Sequence, residues 1–120
     1  MLTREKRILS ARDFKRIYQK GSFLGSDLFT INVLANRTQN TRLGFVISKK
    51  VEASAVKRNL LKRQFRAITS NLYELLPSGY DVVVNIKPKA AVVEFSEIEK
   101  ELRVAFGKVG TSEAPRNRSN

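Results

Sequence analysis

Residues 55–68 read "AVKRNLLKRQFRAI", with Lys57, Arg58, Lys62, Arg63 and Arg66 basic and no carboxylate among them. On a helix over about 54–75, turning by about 100° per residue, Lys62, Arg66, Asn59 and Arg63 lie roughly 40°, 80°, 100° and 140° from Arg58. Leu61, Phe65, Ile68, Leu72 and Leu75 fall between roughly 260° and 340° on the same wheel. The segment reads as a helix with one apolar wall and one cationic wall. Solvated helix faces usually alternate sign, because like charges four residues apart cost a few tenths of a kcal/mol. Here Arg58, Lys62 and Arg66 repel one another, and no acidic residue occurs between Glu52 and Glu74. Such a wall gains by neutralising phosphates and releasing their counterions. Asn59 adds a hydrogen-bond donor and acceptor that a purely electrostatic face does not need.

Strand-like segments flank this helix. "RLGFVIS" (42–48) precedes it, and "YDVVVNI" (80–86) follows after the breakers Pro77, Ser78 and Gly79. The second is apolar enough to be buried on both faces. Further upstream, "LFTINVLA" (28–35) is β-rich, and "NRTQNT" between it and residue 42 reads as a hairpin loop. Alternation turns Phe29, Ile31 and Val33 to one face and Thr30, Asn32 and Leu34 to the other. An extra strand is expected within residues 22–35. Ser10 opens a helix over 11–20, with Leu9 as a staple before it, Asp13 in the first turn and Gly21 past the end. Ser96 and Glu99 have capping-box spacing, ahead of Ile98, Leu102, Val104 and Phe106 and a stop at Gly107. The chain thus reads as one α+β domain over 1–107, in the order α-β-β-β-α-β-α, with a flexible tail over 108–120.

Composition narrows the function. The net charge is +12, yet residues 67–120 contain seven basic and seven acidic side chains, so the whole excess lies in residues 1–66. That asymmetry is an electrostatic footprint for a polyanion. With no Cys and no His, disulfides, thiolate nucleophiles, imidazole bases and sulfur-ligated zinc are all excluded. No apolar run approaches the roughly 18–20 residues of a membrane span, and "MLTREKRILS" lacks the apolar core of a secretion signal. A cytoplasmic protein with no membrane partner is expected.

Other candidates are weaker. Ser48 beside Lys49 has the composition of a nucleophile and its base, but adjacent strand residues point to opposite faces, so phosphate contact by Lys49 and Lys50 is the better reading. Phe14 and Tyr18 share a helix face, and spacing alone leaves them as core or as contacts. With Arg12, Lys15 and Arg16 around them, they could stack unpaired bases. Glu94 to Glu101 occupies a first helical turn, where carboxylates satisfy the dipole rather than a metal.

"DFKRIYQKG" (13–21), "RLGFVISKKV" (42–51), "AVKRNLLKRQFR" (55–66) and "YDVVV" (80–84) together resemble the protein subunit of bacterial ribonuclease P, from about Leu9 to Phe106. Leu60 departs from the pattern, since the family commonly has a third basic residue there. The resemblance implies a fold similar to domain 2 of ribosomal protein S5, with a left-handed β-α-β crossover. It also implies one protein per ribonuclease P RNA and no catalytic or metal-ligating residue in the protein. The RNA would hold the Mg2+ ions and cleave precursor tRNA, while the protein binds that RNA and the 5′ leader. By position, Arg58, Asn59, Lys62, Arg63 and Arg66, with Lys49 and Lys50, would meet the RNA. Phe14, Tyr18, Asn32 and Phe29, with Arg12, would line the leader groove. The alternatives are a ribosomal or other structural RNA-binding protein, which needs no aromatic groove, and a duplex-DNA reader, which needs a second helix at short spacing that is absent here.

Overall fold

Tyr80–Ile86 is the most continuously apolar of the strand candidates, and it takes the centre of the sheet. In the computed structural model, which describes residues 6–8, 10–47, 50 and 54–110, Val82, Val83 and Val84 are all fully buried. The elements are α1 (Ala11–Lys20), β1 (Ser22–Gly25), β2 (Phe29–Ala35), β3 (Arg42–Val46), α2 (Ala55–Leu72), β4 (Tyr80–Ile86) and α3 (Phe95–Lys108). They form a single α+β domain with a mixed sheet in the order β1-β2-β4-β3. β2 pairs antiparallel with β1 and with β4, while β3 runs parallel to β4 and is joined to it through α2.

The hairpin expected between β2 and β3 does not form, because β4 lies between them. Residues 36–41 cross the start of β4, and two strand spacings of about 10 Å in all are within their reach. The crossing is tied down by Asn36 N donating to Gly79 O at 2.8 Å and Tyr80 N donating to Thr41 Oγ1 at 3.2 Å. A strand buried on both faces is best satisfied with partners on both edges, and this arrangement supplies them.

Alternation then sorts the core. Phe29, Ile31, Val33, Leu43, Val82, Val84 and Ile86 face α2 and α3, which contribute Leu61, Phe65, Ile68, Leu72, Ile98, Leu102 and Phe106. Phe65 meets Phe29 edge to face, with centroids 6.3 Å apart and planes at 87°. On the other face Val83 packs with Ile17 of α1 and with Ile8, flanked by Phe14, Tyr18 and Leu34.

Ser10 caps α1 by accepting from Asp13 N, and Ser54 caps α2 by accepting from Lys57 N. Four expectations need correcting. α2 ends at Leu72 and tightens into a 3-10 turn over Tyr73–Leu75, which swings Leu75 out and leaves Leu76 buried. Ser96 is not a cap, since α3 starts at Phe95 behind Glu94 with no side-chain cap bond. Val104 faces outward, because Ile98, Leu102 and Phe106, four apart, already define the buried stripe. α3 runs through Gly107 to Lys108, Val109 is buried, and the left-handed residue is Gly110 (φ 77°). The Leu9 staple and the tail over 111–120 lie outside the described residues.

Phe65→Ala is expected to cost about 3–5 kcal/mol in urea unfolding, against under about 1 kcal/mol for Leu75→Ala at its exposed position. Equal losses would contradict the placement of the two side chains.

Candidate nucleic-acid interface

Burying the apolar wall of α2 forces its other wall outward. Leu61, Phe65, Ile68 and Leu72 are in the core, and a shallow groove of 530 Å³ along the opposite side is lined by Val56, Asn59, Leu60, Lys62, Arg63 and Arg66. Arg58 lies half-buried on the same wall. Among the described residues no carboxylate pairs with Lys62, Arg63 or Arg66; the ion pairs that do form join Arg16, Arg42, Lys89 and Arg103 to acids elsewhere. α2 also has no acid in its first turn, so the positive end of its dipole adds to the field of the wall. Desolvation, and then the charge of Arg66, hold the Lys62 pKa below the ordinary lysine value. An approaching phosphate would oppose both by favouring the charged ammonium.

A second cleft, of 620 Å³, lies between α1 and the edge strand β3. Phe14, Lys15, Tyr18 and Gln19 form one wall, Phe45, Val46 and Ile47 the other side, and Lys62 of α2 reaches its rim. Lys62 therefore borders both the cationic groove and the aromatic cleft. Gly44 makes the cleft possible: a Cβ at that position would lie 2.8 Å from the Phe14 ring. The ring thus rests directly on the strand backbone.

Polar bonds hold α1 at both ends. Tyr18 donates its hydroxyl to Asn85 Oδ1 at 2.6 Å, and Asn85 Nδ2 donates to Asn32 Oδ1 at 2.8 Å and to Thr30 O at 3.3 Å. Toward the other end, Arg42 grips the fully buried Asp81 through Nε (2.8 Å) and an Nη (2.7 Å), and donates a third bond to Asp13 of α1 at 3.3 Å. Arg16 and Asn36 also donate to Asp81, at 3.4 and 2.8 Å. The Asp81 hydrogen bond, above all, raises the Arg42 pKa against the opposing effect of its burial.

The expected site residues sort clearly against this geometry. Asn59, Lys62, Arg63 and Arg66 share one groove; Phe14 and Tyr18 share the other. Phe29 does not belong to the cleft: it is 1% exposed, on the opposite face of the sheet against Phe65. The same alternation that pairs Phe29 with Ile31 and Val33 carried that signal. Asn32 is on the α1 face of β2 but 1% exposed and does not line the cleft; its Oδ1 accepts from Asn85, and its Nδ2 has no partner among the described residues. Arg12 is exposed outside the lining, which takes Lys15 instead. Lys50 is exposed in the turn before α2, and Lys49, like Ser48, lies outside the described residues. Sequence reasoning missed Gly44, Val46 and Asn85; a glycine inside a strand was the available clue to the first.

Comparison with known proteins agrees with this architecture. Residues 2–110 match the Ribonuclease P family. The ribonuclease P protein component of a Pseudanabaena species is 34% identical over 109 residues, covering 90% of this chain and 94% of that protein. The component from Thermotoga petrophila is 34% identical over 97 residues, 81% of each chain. Among solved structures, the ribonuclease P protein of Thermotoga maritima superposes with a TM-score of 0.79 at 29% identity, covering 86% of this chain and 96% of that one. The Staphylococcus aureus protein gives 0.77 at 29% identity, over 87% and 96%. A cationic helix and an aromatic cleft, on a fold and sequence shared with these proteins, make this chain a member of the ribonuclease P protein family, the protein subunit of a ribonucleoprotein endoribonuclease.

Proposed function

We propose that this subunit meets ribonuclease P RNA through the outer wall of α2 and holds the single-stranded 5′ leader of precursor tRNA in the cleft between α1 and β3. The observation that carries this reading is the junction at Lys62, where a groove suited to phosphates opens beside one suited to stacked bases. A protein that only braces RNA needs the first groove and not the second. Arg58, Lys62, Arg63 and Arg66 neutralise RNA phosphates and Asn59 adds an uncharged hydrogen bond; Phe14 and Tyr18 stack leader bases, and Asn32 supports Tyr18 from within the sheet through Asn85.

The chemistry of leader removal belongs to the RNA in this reading, and with it the Mg2+ that activates water and stabilises the leaving oxygen. The best-placed carboxylates of this chain do not fit a metal site, since Asp81 takes its bonds from Arg42, Arg16 and Asn36, and Asp13 faces Arg42. The protein contributes binding: it holds the leader and thereby orients the scissile bond in the RNA. One protein per RNA, in the reducing cytoplasm that a cysteine-free chain suits, completes the picture. No helix among the described residues is long and apolar enough to cross a membrane.

The direct test adds the protein to ribonuclease P RNA and precursor tRNA at low Mg2+, and leader release should accelerate. Phe14→Ala with Tyr18→Ala should weaken precursor tRNA binding more than mature tRNA binding. Unchanged cleavage alongside firm binding of ribosomal RNA would favour a structural RNA-binding role instead.

With about five phosphate contacts, log affinity for RNA should fall against log salt with a slope of about −3.5 to −4.5. A flat response would remove the cationic wall from the interface.

Because Lys62 titrates below the usual lysine value in the free protein and phosphate favours its charged form, binding should take up protons. Affinity is then full while the free ammonium is charged, and declines as pH rises through its depressed pKa, on the acid side of about 10.4. Lys62→Arg should abolish that early decline, measured by fluorescence anisotropy across pH.

A further inference from the structure

We propose that the buried Asp81–Arg42 pair, with Asp13 of α1, is a positioning device that sets the width of the α1–β3 cleft and so the grip on the leader; this rests on the cleft reading above. Arg42, Gly44 and Val46 alternate onto one face of β3, and each has a different task there. Arg42 binds α1 through Asp13, Gly44 receives the Phe14 ring, and Val46 lines the cleft. Asp13 and Phe14 are adjacent on α1, so the bond that anchors the first fixes where the second lands. The opposite end is anchored in the same way, with Tyr18 bonded to Asn85, the register partner of Val46.

A buried ion pair roughly breaks even against apolar side chains of the same volume, so cohesion alone does not call for one in this place. What an apolar contact lacks is direction. The guanidinium fork holds Asp81 with two bonds at 2.8 and 2.7 Å, and its other terminal nitrogen, Nη1, donates to Asp13. Asp81 is 0% exposed and is itself fixed by Asn36 from the β2–β3 crossing, while Arg16 of α1 adds a longer bond of 3.4 Å to the same carboxylate. The side chain that reaches α1 therefore starts from a base with little freedom of its own. A few tenths of an ångström matter here, because the Phe14 ring already touches the Gly44 backbone.

The test uses the full chain assembled with ribonuclease P RNA and the double variant Asp13→Asn with Arg42→Lys. This variant keeps a cation beside Asp81, so no buried carboxylate is abandoned, and it makes the protein one charge more positive. Electrostatics alone would then tighten every RNA contact, whereas loss of the positioning device loosens one. Three quantities are read: affinity for precursor tRNA relative to leaderless tRNA, affinity of the protein for ribonuclease P RNA, and the ring-current shift of the Gly44 Hα under Phe14. The expected result is a loss of about tenfold in the leader-dependent ratio, within the range of one weakened base stack. The Gly44 resonance should move toward its random-coil position while affinity for the RNA is undiminished. Arg42→Lys alone, which retains Asp13, should fall between the double variant and the unaltered chain.

A moved Gly44 resonance with full leader discrimination would overturn the proposal, as would lost discrimination with that resonance in place. If the unaltered protein itself fails to distinguish leader-bearing from leaderless tRNA, the cleft reading falls and takes this one with it. If it discriminates and the variants match it, only the positioning device is removed.

Discussion

The structure depends on one constraint: α2 cannot bury its apolar wall without presenting its charged one. Leu61, Phe65, Ile68 and Leu72 must leave water, a gain of about 1.5–3 kcal/mol for each large apolar side chain. That gain outweighs the few tenths lost to each like-charge contact on the far side. The cationic wall is thus held in place by the core beneath it. It cannot relax by rolling over, and α2 has no acids of its own to quieten it.

The sheet supplies a second asymmetry. One face is fully dressed by α2 and α3, while the other is covered by the ten-residue α1. Because β3 is an edge strand, part of its outer surface is left open beside α1, and the cleft forms there. The long helix that leaves β3 for β4 brings Lys62 to the rim of that cleft. A groove for bases and a ridge for phosphates thereby become neighbours through the connectivity of a single parallel strand pair.

The polar groups on the α1 face follow a different logic from the core opposite. Asp81, Asn85, Asn32 and Arg42 place buried hydrogen bonds where a plain domain would place aliphatic side chains. Such bonds are directional and costly to leave unmade. They suit a surface whose geometry matters more than its cohesion.

Much of this was legible in the chain itself. The two walls of α2, the Ser10 cap and the double burial of Val82–Val84 are local properties, set by periods of 3.6 and 2 and by side-chain chemistry a few residues away. The misreadings share a cause. The hairpin between β2 and β3 failed because pairing is decided by a strand some forty residues downstream, whose apolar faces claim the central position. Phe29 was lost to the core, Leu75 turned out to solvent, and Gly44 acquired its importance only when Phe14 landed on it. Periodicity says which way a side chain points along its own element. Which element it then meets is settled by long-range packing, where the burial of distant apolar surface outweighs every local preference.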